Sequence, residues 1–88
     1  MKPVAINLTA TTTPQVYEKI CYNIKSMRNI GSNPIKVSFN EPINDTTKNY
    51  FYLVAGGGFE EWAGIQIDTI YYQATTGTSD FFVWTETN

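Results

Sequence analysis

Eighty-eight residues make one small domain, in which a single core buries a modest share of the unfolded surface. One cysteine, Cys21, excludes an internal disulfide, and without histidine the chain lacks the soft ligands of a structural zinc site. A net charge of −2 with no basic run argues against a surface that tracks nucleic-acid phosphates, which leaves association as the expected source of extra stability.

Charged residues reach only 16%, below the usual quarter, while aromatics reach 15% and threonine occurs twelve times. Solubility then rests on neutral polar groups, as in a surface made for contact or in an ordinary small β domain. No apolar run of signal-peptide or membrane-span length is present, so neither export nor membrane insertion is expected.

Val4, Ile6 and Leu8 alternate with Ala5, Asn7 and Thr9, which reads as a short edge strand or an N-terminal arm within residues 1–14. Such a segment can pair within its own sheet or reach to a neighbour. Pro14 ends it, because proline cannot donate to a ladder. From Val16 to Ile30, β-branched and aromatic residues point to one long strand with a bulge near Ser26-Met27. Val16, Ile20, Ile24 and Met27 also fit helical spacing, and helix is the alternative there.

Asn29 to Asn40 reads as a hairpin. Gly31 supplies positive φ, Asn33 bonds its own backbone in the turn, and Pro34 closes it. Ile35, Val37 and Phe39 then take one face, with Lys36, Ser38 and Asn40 on the other. Glu41 to Asn49 is a loop. Tyr50 to Val54 is apolar on both faces, which suggests a central position or burial between layers. Gly56-Gly57-Gly58 break it. From Ile65 to Tyr72 both phases carry apolar residues, and after a turn at Thr75 to Ser79 the last strand sets Phe81 and Val83 against Phe82 and Trp84. The sum is a single all-β domain over 1–88, a small antiparallel β-sandwich or barrel-like sandwich of five to seven strands.

Chemistry is sparse. The three glycines could cradle phosphate, but Glu60 and Glu61 follow at once and would repel it, so a sheet corner is the better reading. Adjacent acids on a strand face opposite ways, so Glu60 and Glu61 cannot grip one substrate together, and Asp68 adds no pair. Cys21 lacks a histidine base and reads as a buried small hydrophobe. Asn44-Asp45 is too thin for calcium. No catalytic residue, cofactor or metal is expected. The aromatics remain: pairs such as Phe81-Phe82 and Tyr71-Tyr72 cannot all enter one core, and an exposed set would mark a contact with protein or glycan.

The order Ser26-Met27-Arg28-Asn29-Ile30, Asn33-Pro34-Ile35-Lys36-Val37-Ser38-Phe39-Asn40, Phe51-Tyr52-Leu53-Val54-Ala55-Gly56-Gly57 and Thr69-Ile70-Tyr71-Tyr72-Gln73-Ala74 resembles small virion structural proteins of tailed bacteriophages. The likeness spans residues 16 to 86 and lacks a trimerisation segment or an added host-binding domain. It implies a non-enzymatic capsid decoration, head- or tail-associated role, in which other virion proteins are the partners and the chain acts as a homo-oligomer or in many copies on a lattice. A carbohydrate- or receptor-binding module is the alternative. Phe59 and Trp62 beside the glycines, and the Val4, Ile6, Leu8 arm, are the expected interface residues.

Overall fold

Alternating apolar and polar side chains decide where each strand lies and which face it buries. The computed structural model describes residues 2–87, the side chains of 59–65 excepted. Its strands are β1 (Lys2–Ala10), β2 (Gln15–Tyr17), β3 (Cys21–Asn29), β4 (Ile35–Phe39), β5 (Phe51–Leu53), β6 (Gly58–Ile67), β7 (Ile70–Ala74) and β8 (Ser79–Thr87). They form two antiparallel four-stranded sheets, ordered β1-β8-β3-β6 and β2-β7-β4-β5. The all-β sandwich holds, with eight strands rather than five to seven.

The register reveals how the sheets arise. Lys2 pairs with Thr87, Gln15 with Tyr72, Cys21 with Ile67, and Ile35 with Leu53. Each pair is centred within about one residue of Asn44. The chain is therefore one long antiparallel ribbon folded at the 40–50 loop and rolled up, so that β3 meets β8 and β4 meets β7. Eight strands rolled in this order make a jelly roll.

Several local expectations change as a result. Asn29 to Asn40 is not a hairpin, because β3 and β4 belong to different sheets and the turn between them is a crossover. The segment read as one long strand from Val16 to Ile30 is likewise two, β2 and β3, joined across the sandwich by Glu18 to Ile20. Its irregularity lies between Tyr22 and Ile24, where Asn23 takes φ 51°, and not at Ser26-Met27. The Tyr50 to Val54 strand is an edge strand, not a central one. From Ile65 to Tyr72 both phases are apolar because the chain changes sheets at Asp68-Thr69, which resets the inward phase from Ile67 to Ile70.

Phe81 and Val83 of β8, Ile24 and Met27 of β3, Ile35 and Val37 of β4 and Ile70 of β7 are fully buried between the sheets. Tyr72 packs its ring edge-on to Phe81, 5.1 Å between centroids. At one end of the sandwich a buried carboxamide ties the turns. Asn29 Nδ2 donates to the carbonyls of Asn33 (2.7 Å) and Leu53 (2.9 Å), while its Oδ1 accepts from Gly31 N (3.0 Å) and Ser79 Oγ (2.7 Å). Asn29 thus ties the turn in which Asn33 was expected to bond its own backbone, and Asn33 Nδ2 instead reaches Thr78 O at 2.8 Å. Gly31 is required for close approach, not for positive φ: a Cβ there would land on the Ser79 hydroxyl and lie 2.8 Å from its Cα. At the other end Asn40, at φ 65°, accepts from the backbone N–H of Asp68 (2.8 Å) and Thr69 (3.2 Å), pinning two loops together.

Candidate functional site

The two outer faces of the sandwich carry what the core does not use. On the first sheet, directly opposed residues share a face, so the register assigns the outward row. Trp84 lies between Ala5 on β1 and Ser26 on β3, and Phe82 between Asn7 and Arg28. Both neighbours of the indole are small, and Trp84 stays 52% exposed at the centre of the sheet. Ala5, Asn7, Phe82 and Trp84 line a shallow open cleft of about 330 Å³. On the same face, Arg28 of β3 opposes Phe82, and Asp80 and the half-buried Glu86 lie along β8 on either side of Phe82 and Trp84. An exposed aromatic centre inside a polar rim is a surface pattern that protein contacts share.

On the second sheet the outward row runs Tyr52, Lys36, Gln73 across β5, β4 and β7. The 40–50 loop folds over this row. Asn44 organises the loop, its Oδ1 accepting from Thr46 N (2.9 Å) and Thr47 N (3.2 Å), and Asn49 Nδ2 bonds Pro42 O at 2.8 Å. That geometry delivers Asp45 to Lys36, 2.7 Å away, and lets Tyr50 Oη donate to the same carboxylate oxygen at 3.1 Å. The Lys36 ammonium sits 5.0 Å from the Tyr50 ring centre, and Tyr50 packs edge-on to Tyr52 at 5.5 Å. The hydrogen bond from Lys36, then that from Tyr50, holds the Asp45 carboxyl below its usual range, and Asp45 holds the Lys36 amine up. The neighbouring Tyr52 hydroxyl, then desolvation, raises the Tyr50 hydroxyl above its ordinary range. Beside this row, Pro14, Val16, Pro42, Ile43 and Tyr71 border an apolar groove of about 220 Å³.

Of the expected interface residues, the structure places the three on the N-terminal strand. Val4, Ile6 and Leu8 oppose the buried Thr85, Val83 and Phe81, so they face inward, and Ile6 and Leu8 pack on the core. The segment pairs within its own sheet as β1, and its outward side is Ala5, Asn7 and Thr9. Phe59 and Trp62, with Glu60 and Glu61, have side chains outside the described residues. Among the described residues, Trp84 and Tyr52 are the exposed large aromatics. Their signal was the alternation in Phe81-Phe82-Val83-Trp84 and in Phe51-Tyr52-Leu53, one aromatic in and the next out.

No family model, curated protein or solved structure matches this chain. Its chemistry must be read from its own groups. Cys21 is fully buried, its Sγ 3.6 Å from Lys19 O, and burial pushes the thiol pKa up, away from nucleophilic thiolate. Gly56 takes φ 73° in a turn and donates its N–H to Asn29 O, and a strand rather than a helix follows, so the glycine run is a sheet corner. Asp68 is exposed and accepts from Gln66 Nε2 at 2.8 Å. Among the described residues no cluster of three metal-ligating groups occurs.

Proposed function

We propose that this chain is a non-enzymatic structural protein of a bacteriophage virion, a capsid-surface accessory that reinforces contacts between shell subunits. The observation that carries the reading is the Trp84 face: a half-exposed indole beside Phe82, flanked by Ala5 and Ser26, on a rigid sheet whose core does not need it. Truncating an anchor of this kind typically weakens an interface by about 2 kcal/mol or more. Many weak copies on one lattice then act together. The jelly roll, an architecture found in capsid and lectin domains, agrees with this role, although a fold alone does not assign one.

The test is attachment to particles of the phage that carries the gene. Mass spectrometry of purified virions should find the chain in many copies. Recombinant protein should bind particles stripped of it, whereas Trp84→Glu should keep the wild-type melting temperature and fail to bind. Absence from virions, or undiminished binding of Trp84→Glu, overturns the proposal.

A further inference from the structure

The face opposite Trp84 raises a separate question, because its best-organised side chains serve no core. Tyr52 is 55% exposed on an edge strand, and the Asp45 side chain is 70% exposed. A surface ion pair of this kind, with the Lys36 side chain 19% exposed, contributes little to stability. Yet Lys36, Asp45, Tyr50 and Tyr52 form a connected set, each held by the next, and the set is fixed by a loop that Asn44 and Asn49 build from within. Side chains ordered in advance bind a ligand without the entropy loss of immobilising them.

We propose that Lys36, Asp45, Tyr50 and Tyr52 form a binding site for a neutral pyranose sugar. Sugars present two kinds of surface, a patch of ring C–H groups and a rim of hydroxyls. The exposed Tyr52 ring gives the apolar platform for the first, and Tyr50, packed against it edge-on, keeps its plane fixed. The Asp45 carboxylate accepts from hydroxyls: its Oδ1 takes Lys36 and Tyr50, and a carboxylate has further lone pairs to offer. The Lys36 ammonium has three donors, of which Asp45 takes one, so it can donate to a neighbouring hydroxyl. Charge selects the class of sugar. Lys36 is already paired with Asp45, the Lys48 charge on the same loop also acts on the Asp45 carboxylate, and the chain carries net −2, so a carboxylated or sulfated sugar meets an exposed carboxylate whose neighbouring cations are already engaged.

Titration of isotope-labelled protein with lactose, cellobiose and maltose, followed by amide and aromatic NMR shifts, tests this. Sialyllactose serves as the anionic comparator. At least one neutral disaccharide should give saturable shifts confined to residues 36, 45, 50 and 52, with a millimolar dissociation constant, and sialyllactose should bind more weakly. Tyr52→Ala should abolish the shifts and Asp45→Asn should weaken binding severalfold. Both positions are exposed, so both variants should retain the wild-type amide spectrum elsewhere, and particle attachment through Trp84 should be unchanged. The proposal fails if none of the three sugars gives a saturable shift up to tens of millimolar. It fails equally if the shifts survive Tyr52→Ala, centre on Trp84, or are stronger with sialyllactose.

Discussion

Replacing Asn29 by leucine is the most severe test of how the turns are tied. The residue is fully buried, and its carboxamide makes four hydrogen bonds. Leucine keeps four side-chain heavy atoms in the same branched order, so no cavity forms; the perturbation is loss of those bonds, with some overpacking from its greater bulk. Gly31 N keeps a second partner, Asp80 O at 3.1 Å, and the bond to Asn33 O is only part-buried. Leu53 O and the Ser79 hydroxyl lose most. At about 1–3 kcal/mol for each buried group left unpaired, Asn29→Leu should lose about 2–6 kcal/mol. A chain of this length is expected to hold about 4–13 kcal/mol in all, so the variant should be marginal or unfolded. Urea unfolding followed by tryptophan fluorescence measures the difference. Asn29→Asp sharpens the argument by reversing the pH dependence. Its carboxylate would face the Asn33 and Leu53 carbonyls, raising the folded pKa above the unfolded value of about 3.9. Its deficit should be smallest below the unfolded pKa, where the neutral acid regains one donor, and should grow as pH rises through the folded pKa. A loss below about 0.5 kcal/mol for Asn29→Leu, within the range of ordinary surface changes, would refute the tie.

Other positions give independent checks. Gly31→Ala should destabilise by about 1–3 kcal/mol in the same unfolding assay, and Ser79→Ala should not rescue it, because the clash includes the Ser79 Cα and Asp80 N. Phe81→Ala should lose about 3–5 kcal/mol, since its ring fills the centre of the core against Tyr72. Cys21 should resist alkylation in native protein at neutral pH and react on unfolding, measured by mass increase. The Asp45 carboxyl is depressed in the folded state, so its contacts with Lys36 and Tyr50 should persist above the ordinary carboxylate pKa and be lost as pH falls through the folded value. The Tyr50 and Tyr52 ring resonances should report that acid transition, and Lys36→Met should move it upward.

The sequence made the faces legible and concealed the path between them. Ile35, Val37, Phe81 and Val83 point inward as their alternation predicts, and Phe82 and Trp84 point outward. Period-2 patterns report burial within one strand and carry no information about which sheet that strand joins. A crossover and a hairpin both need a turn rich in glycine, asparagine and proline, so Gly31-Ser32-Asn33-Pro34 read as one and is the other. Edge position was hidden for the same reason: Phe51-Tyr52-Leu53 is apolar throughout, yet Tyr52 uses its ring on the outside. The Lys36 and Asp45 contact depends on a loop closing over a sheet, and a separation of nine residues gave no local signal of it.

The ribbon centred on Asn44 has a kinetic consequence. Antiparallel sandwiches fold slowly when distant segments must find one another before any contact forms. Here the separation between paired strands falls steadily from β1 with β8 to β4 with β5. If β4 and β5 close first around the 40–50 loop, each following pair closes a small additional loop rather than a long one, which lowers the entropy opposing it. Assembly can zip outward from the middle of the chain. On that route Ile35 and Leu53 join early and the Lys2 with Thr87 end joins last, so the outer ends of β1 and β8 fray together as one unit.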